Sequence, residues 1–104
     1  MKLIIAGSRT LFIDPILIDR LIISANLEPE EIISGTAKGI DECGELYVSH
    51  YNNRENGVRY SRPESIKLKQ FPADWDTHGK AAGHIRNKQM AEYADALLLI
   101  WELS

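Results

Sequence analysis

Lys2-Leu-Ile-Ile-Ala-Gly-Ser-Arg9 opens the chain with a nearly continuous aliphatic run that halts at a glycine, a serine and an arginine. A run this short, without polar alternation, suits a strand buried on both faces of a parallel sheet. Asp14-Pro15 then marks a helix start, with aspartate at the N-cap and proline at the first helical position. Ile16, Leu17, Leu21 and Ile22 supply one amphipathic stripe, and the pattern breaks between Asn26 and Pro29. Glu31-Ile-Ile-Ser34 is the next strand, closed by Gly35-Thr-Ala-Lys-Gly39. Strand, helix and strand in this order imply a right-handed crossover between parallel neighbours.

The same alternation continues to the end of the chain. A second helix is predicted from about Gly39 to Asn52, with Ile40, Cys43, Tyr47 and Tyr51 facing the sheet and Asn56-Gly57 beyond it as a cap. Arg59 to Ser65, polar and containing Pro63, reads as an exposed excursion. Ile66-Lys-Leu-Lys-Gln-Phe71 alternates apolar and polar residues, the pattern of a half-exposed edge strand. Phe71 to Gly79 reads as a loop, and a third helix is expected from Lys80 to Tyr93, with Ile85, Met90 and Tyr93 inward. Ala96-Leu-Leu-Leu-Ile-Trp101 is a fourth strand, apolar throughout. The whole is an α/β chain around a mostly parallel four-stranded sheet, in one domain of 104 residues.

Composition removes several function classes. The hydrophobic share of 44% and the charged share of 26% are those of an ordinary globular protein. Twelve basic residues against 15 acidic ones give a net charge of -3 and a pI of about 5.6, so nucleic acid is not the expected partner. One cysteine, Cys43, forms no internal disulfide. No apolar run reads as a membrane span or an export signal, and the expected location is cytoplasmic. His50, His78 and His84 lack metal-ligand spacing, so no metal and no cofactor are expected.

In open parallel sheets, ligands bind beyond the carboxyl ends of the strands, and the unusual polar segments of this chain fall there. In Gly35-Thr36-Ala37-Lys38-Gly39, two glycines flank a small-residue turn that opens a helix, and Lys38 adds a full charge. Such a turn can offer backbone N–H groups to an anion, or it can be glycine geometry alone. Gly7, Ser8 and Arg9 supply a turn, a hydroxyl and a guanidinium suited to phosphate. Asp74 could accept hydrogen bonds from a sugar or base edge, while Trp75 stacks on a base or anchors its loop half-buried. On the third helix the binding candidates are Arg86 and Asn87, and Lys88 is taken as solvated.

These segments together resemble the SLOG superfamily. The resemblance rests on Lys2 to Arg9, Ser34-Gly-Thr-Ala-Lys-Gly-Ile-Asp41, Phe71-Pro-Ala-Asp-Trp-Asp76, Gly79-Lys-Ala-Ala-Gly83, Ile85-Arg-Asn87 with Met90, and Ala94-Asp-Ala-Leu-Leu98. It covers nearly the whole chain and is nearest a branch of small stand-alone bacterial and phage proteins long catalogued as a domain of unknown function. It implies a Rossmann-like three-layer sandwich that binds nucleotides or molecules derived from them. Related members include cytokinin-activating phosphoribohydrolases, a DNA-processing protein that loads recombinase on single strands, and sensor domains for signalling nucleotides. Carried over by position, Gly7, Ser8, Arg9, Gly35, Thr36 and Gly39 would meet phosphate or ribose, and Asp41 would brace the second loop. Arg86 falls where the phosphoribohydrolases carry the arginine of an Arg-Lys pair, with Asn87 in place of the lysine.

Two departures qualify what the resemblance implies. Thr36 and Lys38 stand where the branch usually has glycine and arginine. The family also follows the fourth strand with a glycine-rich phosphate loop and a helix, whereas this sequence ends at Trp101-Glu-Leu-Ser104, a truncated C-terminus by that standard. In the phosphoribohydrolases the missing loop carries a catalytic glutamate, so Glu102 or Asp74 would have to replace it, with Arg86 as the catalytic candidate. The leading expectation is therefore binding of a nucleotide-type small molecule by a sensor or sequestering protein. Nucleotide N-glycosidase activity is the alternative, and single-strand nucleic-acid binding comes third. Apolar surface left bare beside the fourth strand leads us to expect a homo-oligomer.

Overall fold

The computed structural model describes residues 1–53 and 65–101. Within them β1 (Lys2–Gly7), β2 (Glu31–Ser34), β3 (Lys67–Gln70) and β4 (Ala96–Ile100) form one all-parallel sheet in the order β3-β2-β1-β4. Helices α1 (Pro15–Ser24), α2 (Ile40–Asn52), α3 (Trp75–His78) and α4 (Ala82–Tyr93) make the crossovers. From β1 the chain steps outward through β2 to β3, then returns across the sheet to β4. The reversal puts α1 and α2 on one face and α4 on the other, a Rossmann-like sandwich.

Strand periodicity divides the core accordingly. Leu3, Ile5 and Ile32 point to the first face and pack with Ile18 and Ile22 of α1 and Tyr47 and Tyr51 of α2. Ile4 and Ile33 point the other way, against Met90 of α4. Helix α1 starts as its sequence dictates: Asp14 Oδ1 accepts the Ile16 N–H at 2.8 Å, and Pro15 occupies the first position. Helices α1 and α2 are joined by the Tyr47 hydroxyl, which donates to buried Asp19 at 2.9 Å. Buried Cys43 is a packing residue whose sulfur accepts the Ile13 N–H.

The third helix expected from Lys80 onward is different in the structure. Asp74 caps a single helical turn, α3, which stops at Gly79 with φ of 57°; a 3-10 turn over Gly79–Ala81 then leads into α4. The expected loop from Phe71 to Gly79 therefore holds a short helix, placed there by the Asp74 cap and the left-handed glycine. Strand β3 is an edge strand whose four residues are all exposed, Leu68 the apolar one among them at 39%. The expected cap at Asn56-Gly57, most of the Arg59 to Ser65 excursion, and Glu102 lie outside the described residues. No helix among the described residues is long and apolar enough to cross a membrane.

Candidate functional site

The loops after β1 and β2 lie side by side because their backbones interlock. The Ile40 N–H at the start of α2 donates to the Ser8 carbonyl at 3.0 Å. Gly39 makes the approach possible: its φ is 78°, and a Cβ there would stand 2.2 Å from the Ser8 carbonyl oxygen. Gly7 is likewise a close-approach residue, since a Cβ would come 1.9 Å from the carbonyl oxygen of Ile100. Ser8 is buried, and its hydroxyl accepts the Thr10 N–H at 3.2 Å, tightening the first turn.

A pocket of about 440 Å³ opens above these strand ends. Arg9 contributes from the first loop, Gly35 to Lys38 from the second, Pro72, Ala73 and Trp75 from the segment after β3, and Arg86 from α4. Arg9 and Lys38 are exposed and have no ion-pair partner among the described residues. Trp75 is 57% exposed, and its ring rests beside Gly83, where a Cβ would meet it at 3.6 Å. The ring is thus covered on one side by α4 and open to the pocket on the other.

Arg86 turns inward instead of toward solvent. It is buried, donates from Nη1 to the Gly35 carbonyl, and donates from Nε to Asn87 Oδ1 at 2.7 Å. Gly35 is held between this guanidinium and Asp41: a Cβ would stand 2.8 Å from the first and 2.9 Å from the second. Asp41 accepts the Ala37 N–H at 3.2 Å. Burial pushes its carboxyl above the ordinary aspartate range, and the Ala37 N–H and the Arg86 charge oppose that rise. Asn87 orients the guanidinium and does not line the pocket.

Two backbone amides of the second loop are used within the protein. Thr36 N–H donates to Ser34 Oγ at 3.0 Å, and Ala37 N–H to Asp41. Ser34 in turn donates to Glu45 Oε2 at 2.8 Å, which also accepts from the Gln70 side chain at 3.0 Å. The sequence suggested amide hydrogens aimed at a ligand; here two of them stabilise a turn in which Thr36 has φ of 61°. A β-branched residue in that region is strained and persists only when its surroundings fix it. The charge offered to a ligand by side chains comes from exposed Arg9 and Lys38 and, at the pocket wall, from buried Arg86.

Asp74 does not face the pocket. Its Oδ1 accepts the Thr77 N–H at 3.1 Å, and bonding to Thr77 holds the carboxyl below the usual aspartate range. A carboxylate kept ionised as a helix cap is poorly placed to act as a general acid. Of the twelve candidates, Arg9, Gly35, Thr36, Lys38, Trp75 and Arg86 line the pocket, and Gly7, Ser8, Gly39, Asp41, Asp74 and Asn87 build its frame. Ala37, Pro72 and Ala73 line it without having been singled out, since small apolar residues in loops carry no chemical signature. No group of three or more His, Cys, Asp or Glu gathers to hold a metal among the described residues. Compared with protein families, with curated proteins and with solved structures, the chain has no match.

Proposed function

We propose that the protein binds a nucleotide or a nucleotide-derived small molecule of SLOG type, as a sensor or sequestering protein, in the pocket above the strand ends. One observation carries the reading. Two exposed cations from different loops, Arg9 and Lys38, share a pocket with an exposed indole, and among the described residues no carboxylate side chain lines it. A phosphate is the anion that two such cations would hold, with Arg9 offering a planar fork. Trp75 offers the flat apolar surface on which a base stacks. The volume lies within the range of small-molecule sites.

The reading is tested by screening the purified chain against mono-, di- and cyclic nucleotides for a melting shift, with product analysis of every hit. A saturable rise in melting temperature without turnover is expected, worth about 2.7 kcal/mol at a hundredfold excess over Kd. The rise should vanish in an Arg9→Ala/Lys38→Ala double variant. A flat response across the panel refutes the proposal, and release of free base replaces it with the glycosidase reading.

A further inference from the structure

The two edges of the sheet are built differently. At the β3 edge, Lys67 and Lys69 are exposed, the charged residues that commonly keep a strand edge from pairing. At the β4 edge, the five residues Ala96-Leu-Leu-Leu-Ile100 hold no charge, proline or glycine. No strand pairs with the outer side of β4 among the described residues.

Apolar surface flanks that bare edge on both faces. On the α4 face, Leu97 is 55%, Leu99 50% and the adjoining Trp101 63% exposed, because α4 packs over Ile4 and Ile33 and leaves β4 uncovered. On the other face, Asp19 fixes which side of α1 meets α2. Residues two positions away on a helix lie on its opposite side, so Leu17 and Leu21 face the β4 flank. Leu17 is 45% exposed there, and Leu98 and Ile100 beneath are only partly covered.

We infer that this flank is the interface of a two-fold homodimer, in which β4 pairs antiparallel with β4 of a second copy and extends the sheet to twice its strands. A two-fold interface must be complementary to itself. A strand centred on Leu98 meets that condition: Leu97 falls opposite the partner's Leu99, and the absence of charge leaves no like-charge pair near the axis. The same operation brings the two α1 helices together along Leu17 and Leu21. Leu17, Leu97, Leu99 and Trp101 together offer about 450 Å² per copy before the strand edge is counted, over half of the ~800 Å² in a standard interface. The ligand pocket plays no part in this, so either proposal can fail alone.

Sedimentation and light scattering on the 104-residue chain test it, at concentrations up to ~100 µM. A mass of twice 11.8 kDa is expected at high concentration, falling on dilution. Leu99→Lys and, separately, Leu17→Glu change side chains that are about half exposed, so each variant should stay folded by circular dichroism yet run at 11.8 kDa. Lys67→Glu, on the other edge, should leave the dimer intact. A single-copy mass throughout, growth beyond two copies, or a dimer that survives both β4-flank variants would overturn the inference.

Discussion

Replacing Arg86 with methionine keeps much of its volume and removes its charge and donors, so the loss isolates what the guanidinium does. The buried Gly35 carbonyl would lose its donor, and Asp41 would lose the cation that opposes its desolvation. Leaving a buried acceptor unmet costs roughly 1–3 kcal/mol, and an uncompensated buried carboxylate adds to it, so about 3 kcal/mol at neutral pH is expected. In a domain of this size that is a fall in Tm of about 12–24 °C. The loss should depend on pH in a defined direction. The carboxyl of Asp41 is raised in the folded protein, so its stabilising contribution is complete below the unfolded value of 3.8 and is lost as pH rises through the folded value. Removing Arg86 raises the folded value further and enlarges that loss at pH 7, while below pH 3.8 a protonated Asp41 no longer needs the cation. Calorimetry of both proteins from below pH 3.8 to pH 8 should therefore show the gap between them narrowing on the acid side. A loss under about 1 kcal/mol, or one equal at both ends of the range, would refute this account of Arg86.

Three further outcomes follow from single contacts. Gly39→Ala should destabilise by at least about 2 kcal/mol in denaturant unfolding, because the Cβ meets the Ser8 carbonyl and the backbone lies in a region hostile to side chains. Tyr47→Phe removes the donor to buried Asp19 and should cost about 1–3 kcal/mol by the same measurement, with the fold retained. Asp74, whose carboxyl is lowered in the folded protein, contributes stability above 3.8 that is lost as pH falls through its folded value. The amide signal of Thr77 should titrate below pH 3.8 in the parent, and that titration should be absent from Asp74→Asn.

Much of the fold is legible because local and global signals agree. The unbroken aliphatics of β1, the Asp14-Pro15 start of α1, and the lysines alternating along β3 each place an element with no tertiary information. The split of the last crossover was harder to see. Asp74 reads in the sequence as a ligand contact and Gly79 as a loop end, whereas their spacing also encodes a one-turn helix. A pocket at the strand ends is legible as a location, and Arg9, Lys38 and Trp75 line it. Arg86 shows where sequence reasoning stops. A basic residue on a polar helix ordinarily faces solvent, and only the bare backbone of Gly35 and the buried carboxyl of Asp41 turn this one inward. The orientation of the loop amides was hidden for the same reason, since it depends on Ser34 and Asp41 reaching back to their own turn.

Where an anionic ligand sits can be read residue by residue in a titration. Adding a purine nucleoside monophosphate to isotopically labelled protein should move the amide signals of Arg9, Thr36 and Lys38 and the indole N–H of Trp75 along one saturable curve. Perturbations gathered instead at the opposite end of the sheet, around Glu31 and Asp95, or no perturbation up to ~10 mM ligand, would contradict a site above the strand ends.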